Sequence, residues 1–292
     1  MEAPLTAKTT VVPSAASPQR LLLSTTMEAA GWFSACGISD TGTARGENQD
    51  GFRMSGPSGE PPRMLFAVAD GMGGLSQGRF ASHIALQVFF ESFPRNSPRD
   101  ARRALREAVE EAHFGLQQMM QRLAIRGMGT TLTAACLDGP RLHLAHVGDS
   151  RAYRLRGGRA ECLTSDHTTV GEMVRLRILG PDKVRGHERR SELTRGLGLD
   201  LFVRPDITDA DLRAGDRVLL CTDGLWSALE DREIEECSAG AESPAEFGRI
   251  LVDRAMERGS DDNVSAVVIE IRRAPGDSPP PQRSLFRRLW TR

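Results

Sequence analysis

Aspartates dominate the residues of this sequence that could do chemistry. Asp70 and Asp223 each end a short apolar run and precede a glycine, Asp262 lies just before the last apolar run, and Asp50 comes five residues after Arg45. Several carboxylates without His or Cys partners form a hard set of oxygen ligands, which selects Mg²⁺ or Mn²⁺ over zinc or copper. Two such ions can activate a water molecule for attack on a phosphorus atom.

Each aspartate also has a simpler interpretation. Asp-Gly after a strand commonly forms a hairpin turn, as Asp138-Gly139 does between two predicted strands. Asp70 and Asp223, however, lead into predicted helices, where a two-residue hairpin cannot operate. Arg45 has the planar fork that grips phosphate oxygens in pairs, but it could equally form a surface ion pair. Asp262 alone would pass for part of a polar turn.

The elements that must position these residues are legible in the apolar pattern. Apolar residues at helical spacing predict a helix over Ser76–Phe93, and Ser97-Pro98 signals the start of another that reaches Leu123. A shorter helix opens at Thr169, and a serine cap followed by proline opens one over Ser243–Glu257. The predicted strands are Met64–Ala69, Thr130–Leu137, Leu142–Val147, Ala152–Leu155, Arg217–Cys221 and Val264–Ile271.

Blocks of consecutive strands separated by paired helices favour an α+β fold with largely antiparallel sheets, rather than strict strand-helix alternation. The pattern gives no order of strands within the sheets. Residues 1–30 are rich in Ala, Thr, Ser and Pro, and we expect them to be a disordered extension. Residues 31–273 form the expected domain, and residues 274–292 form a proline-rich linker with a basic amphipathic tail.

Composition excludes several classes of function. The formal net charge of -1 with mixed signs disfavours a nucleic acid partner. Five scattered cysteines without a C-x-x-C pair indicate reduced thiols, with no disulfide and no zinc site. The apolar run Leu21–Leu23 is too short for a signal peptide, and no later run is long enough for a membrane span. We therefore expect a cytoplasmic protein.

The ordered set of motifs resembles the protein phosphatase 2C (PPM) family, in particular its compact bacterial members. The motifs occur in the order typical of that family over about residues 36–271. They are Arg45-x-x-Asn48-Gln49-Asp50, Val68-Ala69-Asp70-Gly71-Met72-Gly73-Gly74, Gly129-Thr130-Thr131, Val147-Gly148-Asp149-Ser150-Arg151, Thr164-Ser165-Asp166-His167, Leu193-Thr194-Arg195, Thr222-Asp223-Gly224-Leu225-Trp226 and Asp262-Asn263-Val264-Ser265.

The resemblance implies a four-layer α-β-β-α architecture, a central sandwich of two antiparallel sheets flanked by pairs of helices. By motif, Asp70 bridges two Mn²⁺ or Mg²⁺ ions and the Gly71 carbonyl binds one of them. Asp50, Asp223 and Asp262 complete the ligand set, as catalytic metal ligands. Asp149 matches the holder of a third, weaker ion, and Arg45 matches the phosphate-binding arginine. Asn48 and Asn263 could orient carboxylates or simply form turns.

The implied activity is hydrolysis of phosphoserine and phosphothreonine in proteins by a metal-activated water, without a phosphoenzyme, reversing a serine/threonine kinase. Eukaryotic members carry histidine where Met72 stands, and methionine cannot protonate the leaving group, so we infer that water does so. His143 and His146 are three residues apart on a strand, and packing roles suit them better. The arginine-rich stretch between His167 and Arg195 corresponds to a flap beside the site, or to a solvated surface.

We expect a monomer acting on phosphorylated proteins, including a cognate kinase. Two alternatives remain open: a non-catalytic module that binds phosphoproteins, which need not keep a full ligand set, and a phosphatase for an anti-sigma antagonist. The C-terminal tail, with Leu285, Phe286, Leu289 and Trp290 among four arginines, could dock on the domain or contact an anionic membrane or a partner kinase.

Overall fold

Two antiparallel sheets face each other in the computed structural model, which describes residues 6–13, 21–29, 32–58, 63–74, 77–95 and 100–272. The first sheet has, in spatial order, β1 (Thr6–Pro13), β2 (Leu21–Ala29), β3 (Phe33–Asp40), β13 (Val264–Ile271), β12 (Arg217–Cys221), β9 (Arg151–Arg156) and β10 (Arg159–Cys162). The second has β11 (Asp206–Asp211), β8 (Arg141–Val147), β7 (Leu132–Asp138), β5 (Arg63–Met72) and β4 (Asp50–Ser58), with β6 (Gly129–Thr130) also paired to β5.

Helices cover the outer face of each sheet. They are α1 (Gln77–Arg95), α2 (Ala101–Leu123), α3 (Thr169–Arg175), α4 (Asp223–Trp226), α5 (Asp231–Ala239) and α6 (Pro244–Glu257), with a 3₁₀ turn at Pro181–Lys183. Phe89 of α1 and Leu105 of α2 pack on the second sheet, and Phe247 of α6 packs on the first. Between the sheets, Phe33 and Phe66 meet edge to face. The predicted α-β-β-α sandwich is confirmed.

The predicted helices and strands are present, with their ends shifted by a few residues. The second helix begins later than predicted: Asp100 is its cap, accepting a hydrogen bond from the backbone of Arg102, and Ser97 lies outside the described residues. Within the described part of the expected domain, the structure adds four strands that the pattern missed, β3, β4, β10 and β11. Polar or glycine residues interrupt each of them, so they lack a continuous apolar run.

The expectation of disorder over residues 1–30 is wrong for two segments. Strands β1 and β2 pair with each other, and β2 pairs with β3 from Leu23 to Ala29. Met27 of β2 is 4% exposed in the core between the sheets. The threonines and valines of this segment favour strands, so its composition was misleading. The predicted linker and tail, residues 274–292, lie outside the described residues.

Among the helices of the described part of the chain, none combines the length and apolar character that crossing a membrane requires.

Candidate metal and phosphate site

Strand ends bring the predicted aspartates together at one end of the sandwich. Asp50 begins β4 and stands directly opposite Asp70 of β5 in the antiparallel register. Asp223 follows β12 and begins α4, and Asp262 comes two residues before β13. Strands β12 and β13 are neighbours in the first sheet, whereas β4 and β5 belong to the second. Each sheet therefore supplies two carboxylates to the same region. Asp149 joins them from the turn between β8 and β9.

Burial and mutual repulsion raise the pKa values of this carboxylate cluster. Burial raises the pKa of Asp50 to about 7, against hydrogen bonds from Thr222 and Ser265 that favour the ionised form. Burial, followed by the charge of Asp50, raises the pKa of Asp70 well above its ordinary value. Burial and the charge of Asp262 raise that of Asp223 to about 6. Such a cluster is stabilised by added positive charge.

The third-ion candidate, Asp149, shares this environment. It is 4% exposed, and burial together with the charge of Asp223 raises its pKa. Trp226 Nε1 donates a 2.9 Å hydrogen bond to the Asp149 carbonyl, and the Arg151 guanidinium lies 3.6 Å from the Trp226 ring centre. Arg151 is itself clamped by both carboxylate oxygens of Asp166. The backbone at Asp149 is thus held by a stacked pair.

An unsatisfied atom marks where a cation would fit. Within the described residues, Asp223 Oδ1 is buried and has no hydrogen-bond partner, which is costly for a carboxylate oxygen unless a ligand completes it. In the same part of the chain no three His, Cys, Asp or Glu side chains form a closed ligand set by themselves. Hard divalent cations commonly take backbone oxygens and water as ligands beside carboxylates.

Close backbone packing explains the glycine after Asp70. A Cβ at Gly71 would lie 1.9 Å from the Gly78 carbonyl oxygen and 2.7 Å from that of Gln49. The Gly71 amide also donates to the Gln49 carbonyl, at 3.2 Å. Any side chain at Gly71 would therefore push α1 or the loop before β4 away from the aspartates.

Hydroxyl groups that the sequence interpretation missed hold Asp50 in place. Thr222 Oγ1 donates to Asp50 Oδ2 at 2.8 Å and accepts from the Ser265 amide at 3.0 Å. The Ser265 hydroxyl lies 2.7 Å from that of Ser39. All three hydroxyl-bearing residues are at most 4% exposed. Their signal in the sequence was position alone: Thr222 precedes Asp223, and Ser265 follows Asp262 by three residues.

The two asparagines hold the loop before β4. Asn48 Oδ1 accepts from the Asp50 amide at 3.1 Å, and its Nδ2 donates to Ser39 Oγ at 2.7 Å. Asn263 Oδ1 accepts from the Gln49 amide at 2.8 Å, and its Nδ2 donates to the Thr41 carbonyl at 2.7 Å. Of the two interpretations left open for these amides, the turn-forming one describes their hydrogen bonds.

Arg45 stands at the mouth of the cluster. Its Nη2 donates to Asp262 Oδ2 at 2.7 Å, while the side chains of Arg45 and Asp262 remain 54% and 30% exposed. The exposed guanidinium retains donors that can face solvent, since it has five N–H groups.

The histidines and the arginine-rich stretch are engaged elsewhere. His143 Nδ1 lies 2.8 Å from Asp209 Oδ1, and His146 lies 2.9 Å from the Thr133 hydroxyl, so the predicted packing roles are consistent with their contacts. Between His167 and Arg195, several arginines pair with acids, as Arg189 does with Glu192. Gly196 adjoins Met72: a Cβ there would lie 3.4 Å from Met72 Cε.

Comparisons with known proteins agree with this geometry. A family model described as Protein phosphatase 2C matches residues 36–264. The serine/threonine protein phosphatase PstP of Mycobacterium tuberculosis H37Rv is 35% identical over 236 residues, which are 80% of this chain but 44% of that protein. The protein phosphatase PhpP of Streptococcus pneumoniae D39 is 30% identical over 237 residues, 80% of this chain and 96% of that protein.

A solved structure is similar as well. The crystal structure of the PstP catalytic domain in complex with two manganese ions superposes with a TM-score of 0.72 at 33% identity, covering 82% of this chain and 99% of that one. The chain thus spans 44% of the full length of the mycobacterial PstP, and it covers 99% of the chain in the crystal structure of Mycobacterium tuberculosis PstP.

Proposed function

Because this chain belongs to the protein phosphatase 2C family, we propose that it hydrolyses phosphoserine and phosphothreonine in proteins, using Mn²⁺ or Mg²⁺. The observation that carries the proposal is the convergence of carboxylates from both sheets, in which Asp223 Oδ1 is buried and has no hydrogen-bond partner among the described residues. The donor set contains oxygen only, which suits these hard cations. The similarity to PstP, which is named a serine/threonine protein phosphatase, supports the substrate class.

In this proposal the carboxylates of Asp50, Asp70, Asp223 and Asp262, together with the Gly71 carbonyl, would hold two divalent ions. Asp149 holds a third ion more weakly. When bound, the ions lower the pKa of a water molecule and offset the negative charge of the phosphoryl group. Since the carboxylates repel one another in the metal-free protein, binding also relieves the pKa elevation of Asp50 and Asp70.

Arg45 receives the phosphate. Its guanidinium forms paired hydrogen bonds with two phosphoryl oxygens and releases Asp262, an exchange of one exposed ion pair for a stronger bidentate one. No side chain serves as nucleophile in this proposal. Burial raises the pKa of the Cys221 thiol, one residue before Thr222, so that it stays protonated at neutral pH.

The leaving seryl or threonyl oxygen takes its proton from solvent. Met72 has no proton to donate, and His143 and His146 are held by Asp209 and Thr133. We extend the proposal to a cognate serine/threonine kinase among the substrates, to a monomer, and to the cytoplasm, for which the free state of Cys36, Cys136, Cys162, Cys221 and Cys237 is supporting.

Replacing Asp70 tests the function directly. We expect Asp70→Ala to lower kcat/KM on a phosphothreonine peptide by at least about a thousandfold, since one interaction made at the transition state can be worth that much. Arg103→Ala, a change on the outer face of α2, is the control. Wild-type activity should vanish in EDTA and return with Mn²⁺. Full activity in EDTA, or an active Asp70→Ala protein, would exclude the proposed chemistry.

A further inference from the structure

A groove of about 610 Å³ opens beside the carboxylate cluster, and Asp50 forms part of its lining. It runs between β2 and the first turns of α1, and its floor is the loop from Gly46 to Asn48. Ser39, whose hydroxyl lies 2.7 Å from that of Ser265, also lines the groove. A polypeptide that presents a phosphorylated side chain to the carboxylates has neighbouring residues that must lie in some adjoining groove.

One wall of the groove is apolar and comes partly from the N-terminal segment. Leu23 of β2 stands opposite Ser39 of β3 in the register, and its side chain is 44% exposed. Phe52 of β4 lies beside it; its ring covers Gly37, where a Cβ would be 2.2 Å from Phe52 Cε2. Leu23 precedes the region matched by the family model, which begins at residue 36, whereas Phe52 lies within that region.

The opposite wall is cationic. Arg79 and His83 of α1 both line the groove and are both exposed, and His83 Nδ1 lies 2.8 Å from the Arg79 carbonyl oxygen. Because a carbonyl accepts only, Nδ1 carries the proton in this contact. The Arg79 guanidinium pairs with Glu47 at 3.2 Å, with the Arg79 side chain 58% exposed. An exposed pair of this kind is worth at most about 1 kcal/mol, so an incoming anion can replace Glu47.

We propose that this groove binds the segment of the substrate next to the phosphorylated residue and prefers an anionic side chain facing Arg79 and an apolar one facing Leu23. Arg79 is then a specificity-determining residue, and β2 is a part of the substrate-binding surface. The anion can be a carboxylate or a second phosphoryl group, since both accept the same hydrogen bonds from a guanidinium. This inference rests on the proposed phosphatase function.

The test measures kcat/KM for phosphothreonine peptides that differ only beside the phosphorylated residue. One carries glutamates at the flanking positions, one lysines, and one a phosphoserine in place of a glutamate, and in each the loss of phosphate is followed at the threonine alone. We expect the wild-type protein to prefer the glutamate peptide over the lysine peptide by about fivefold at low salt, the scale of one exposed charge pair. Arg79→Glu should reverse that preference, and added salt should weaken it.

Arg103→Glu is the matched control, because Arg103 also forms an exposed ion pair on a helix and the net charge changes equally. It should leave the preference intact. A wild-type protein without preference, or an Arg79→Glu protein that keeps it, overturns the proposal. If only the phosphoserine peptide is favoured, the anion is a second phosphoryl group; if both anionic peptides are, a carboxylate suffices.

The apolar wall is tested by peptides with leucine or serine beside the phosphorylated residue. Leu23→Ala should reduce the preference for leucine by about fivefold, from the loss of apolar contact. Leu201→Ala, which also shortens an exposed leucine, should not change it. Hydrolysis of p-nitrophenyl phosphate by the Mn²⁺-loaded wild type separates the two ideas: its absence contradicts the phosphatase function, while its presence with unchanged preferences in the variants contradicts the groove.

Discussion

At the scale of single residues, the predicted ligands were recognisable but their supports were not. Aspartates at strand ends are unusual enough, when several occur, to indicate a common site. The hydroxyl of Thr222 carries no such signal, because a threonine beside an aspartate is ordinary in any strand. Nor could spacing show that Arg45 pairs with Asp262, since 217 positions separate them and only the fold brings them together.

Thr222 provides a prediction at this scale. Removing its hydroxyl in Thr222→Val takes away the hydrogen bond from Thr222 to Asp50 Oδ2, so the carboxylate is less well oriented, while Thr222→Ser keeps the bond. We expect Thr222→Val to weaken Mn²⁺ binding by about tenfold, as loss of an orienting hydrogen bond to a ligand does. Titration calorimetry on the metal-free protein measures this without any substrate. Equal affinities of the valine and serine variants would show that the hydroxyl has no orienting role.

At the scale of elements, apolar runs predicted the strands that are buried on both faces, such as β5 and β13. The apolar pattern did not predict the strands of mixed composition. The edge strand β11 is largely exposed and acidic, so it has no apolar periodicity. It is held in the sheet by its hydrogen bonds with β8. Strand β2 was still harder to predict from the sequence, because its contact with the core requires that β3 lies beside it.

The docking of β2 can be measured. Met27→Ala should lower the free energy of unfolding by about 2 kcal/mol, because Met27 is buried between the sheets and its loss leaves a cavity. Leu23→Ala, four residues earlier and half-exposed, should change the stability much less. Urea denaturation followed by circular dichroism gives both values. A Met27→Ala protein as stable as the wild type would mean that the N-terminal segment contributes nothing to the folded domain.

At the scale of the whole molecule, the sequence pattern gave the fold class but no strand order. Sheet order depends on contacts between distant segments, such as β3 with β13, which leave no trace in local periodicity. Family motifs supplied the architecture that the pattern could not. The same long-range assembly concentrates negative charge at one end of the sandwich, and this has a measurable effect on stability.

In the metal-free protein we expect Asp50→Asn to be more stable than the wild type at pH 7.5. The ordinary pKa of Asp50, near 3.8, rises to about 7 in the folded state, so folding takes up a proton between these values. The stability of the wild type therefore falls as pH rises through about 7, and the neutral variant escapes that loss.

The measurement is the urea midpoint of both proteins in EDTA at pH 5.0 and 7.5. The advantage of the variant should shrink at pH 5.0. Burial lowers the pKa of His146 to about 4, which acts in the opposite direction, but it acts equally in both proteins and cancels in the comparison. With Mn²⁺ the wild type should become the more stable of the two proteins, because it keeps the Asp50 carboxylate as a metal ligand and the variant does not. An advantage that is constant with pH would contradict the proton uptake by Asp50.

The pairing of Asp50 with Asp70 has a consequence for how this chain can change its length. The two carboxylates meet because the β4–β5 ladder places them opposite each other. The register is regular from Asp50–Asp70 to Ser55–Leu65 and shifts before Ser58–Arg63. A single-residue deletion between Asp50 and Ser55, or between Leu65 and Asp70, would turn one carboxylate to the far side of the sheet. Insertions between Ser58 and Arg63, beyond the last rung, leave the pairing untouched. Related sequences can therefore have a longer connection between β4 and β5, whereas a deletion between the paired rungs would separate the two carboxylates and destroy the site.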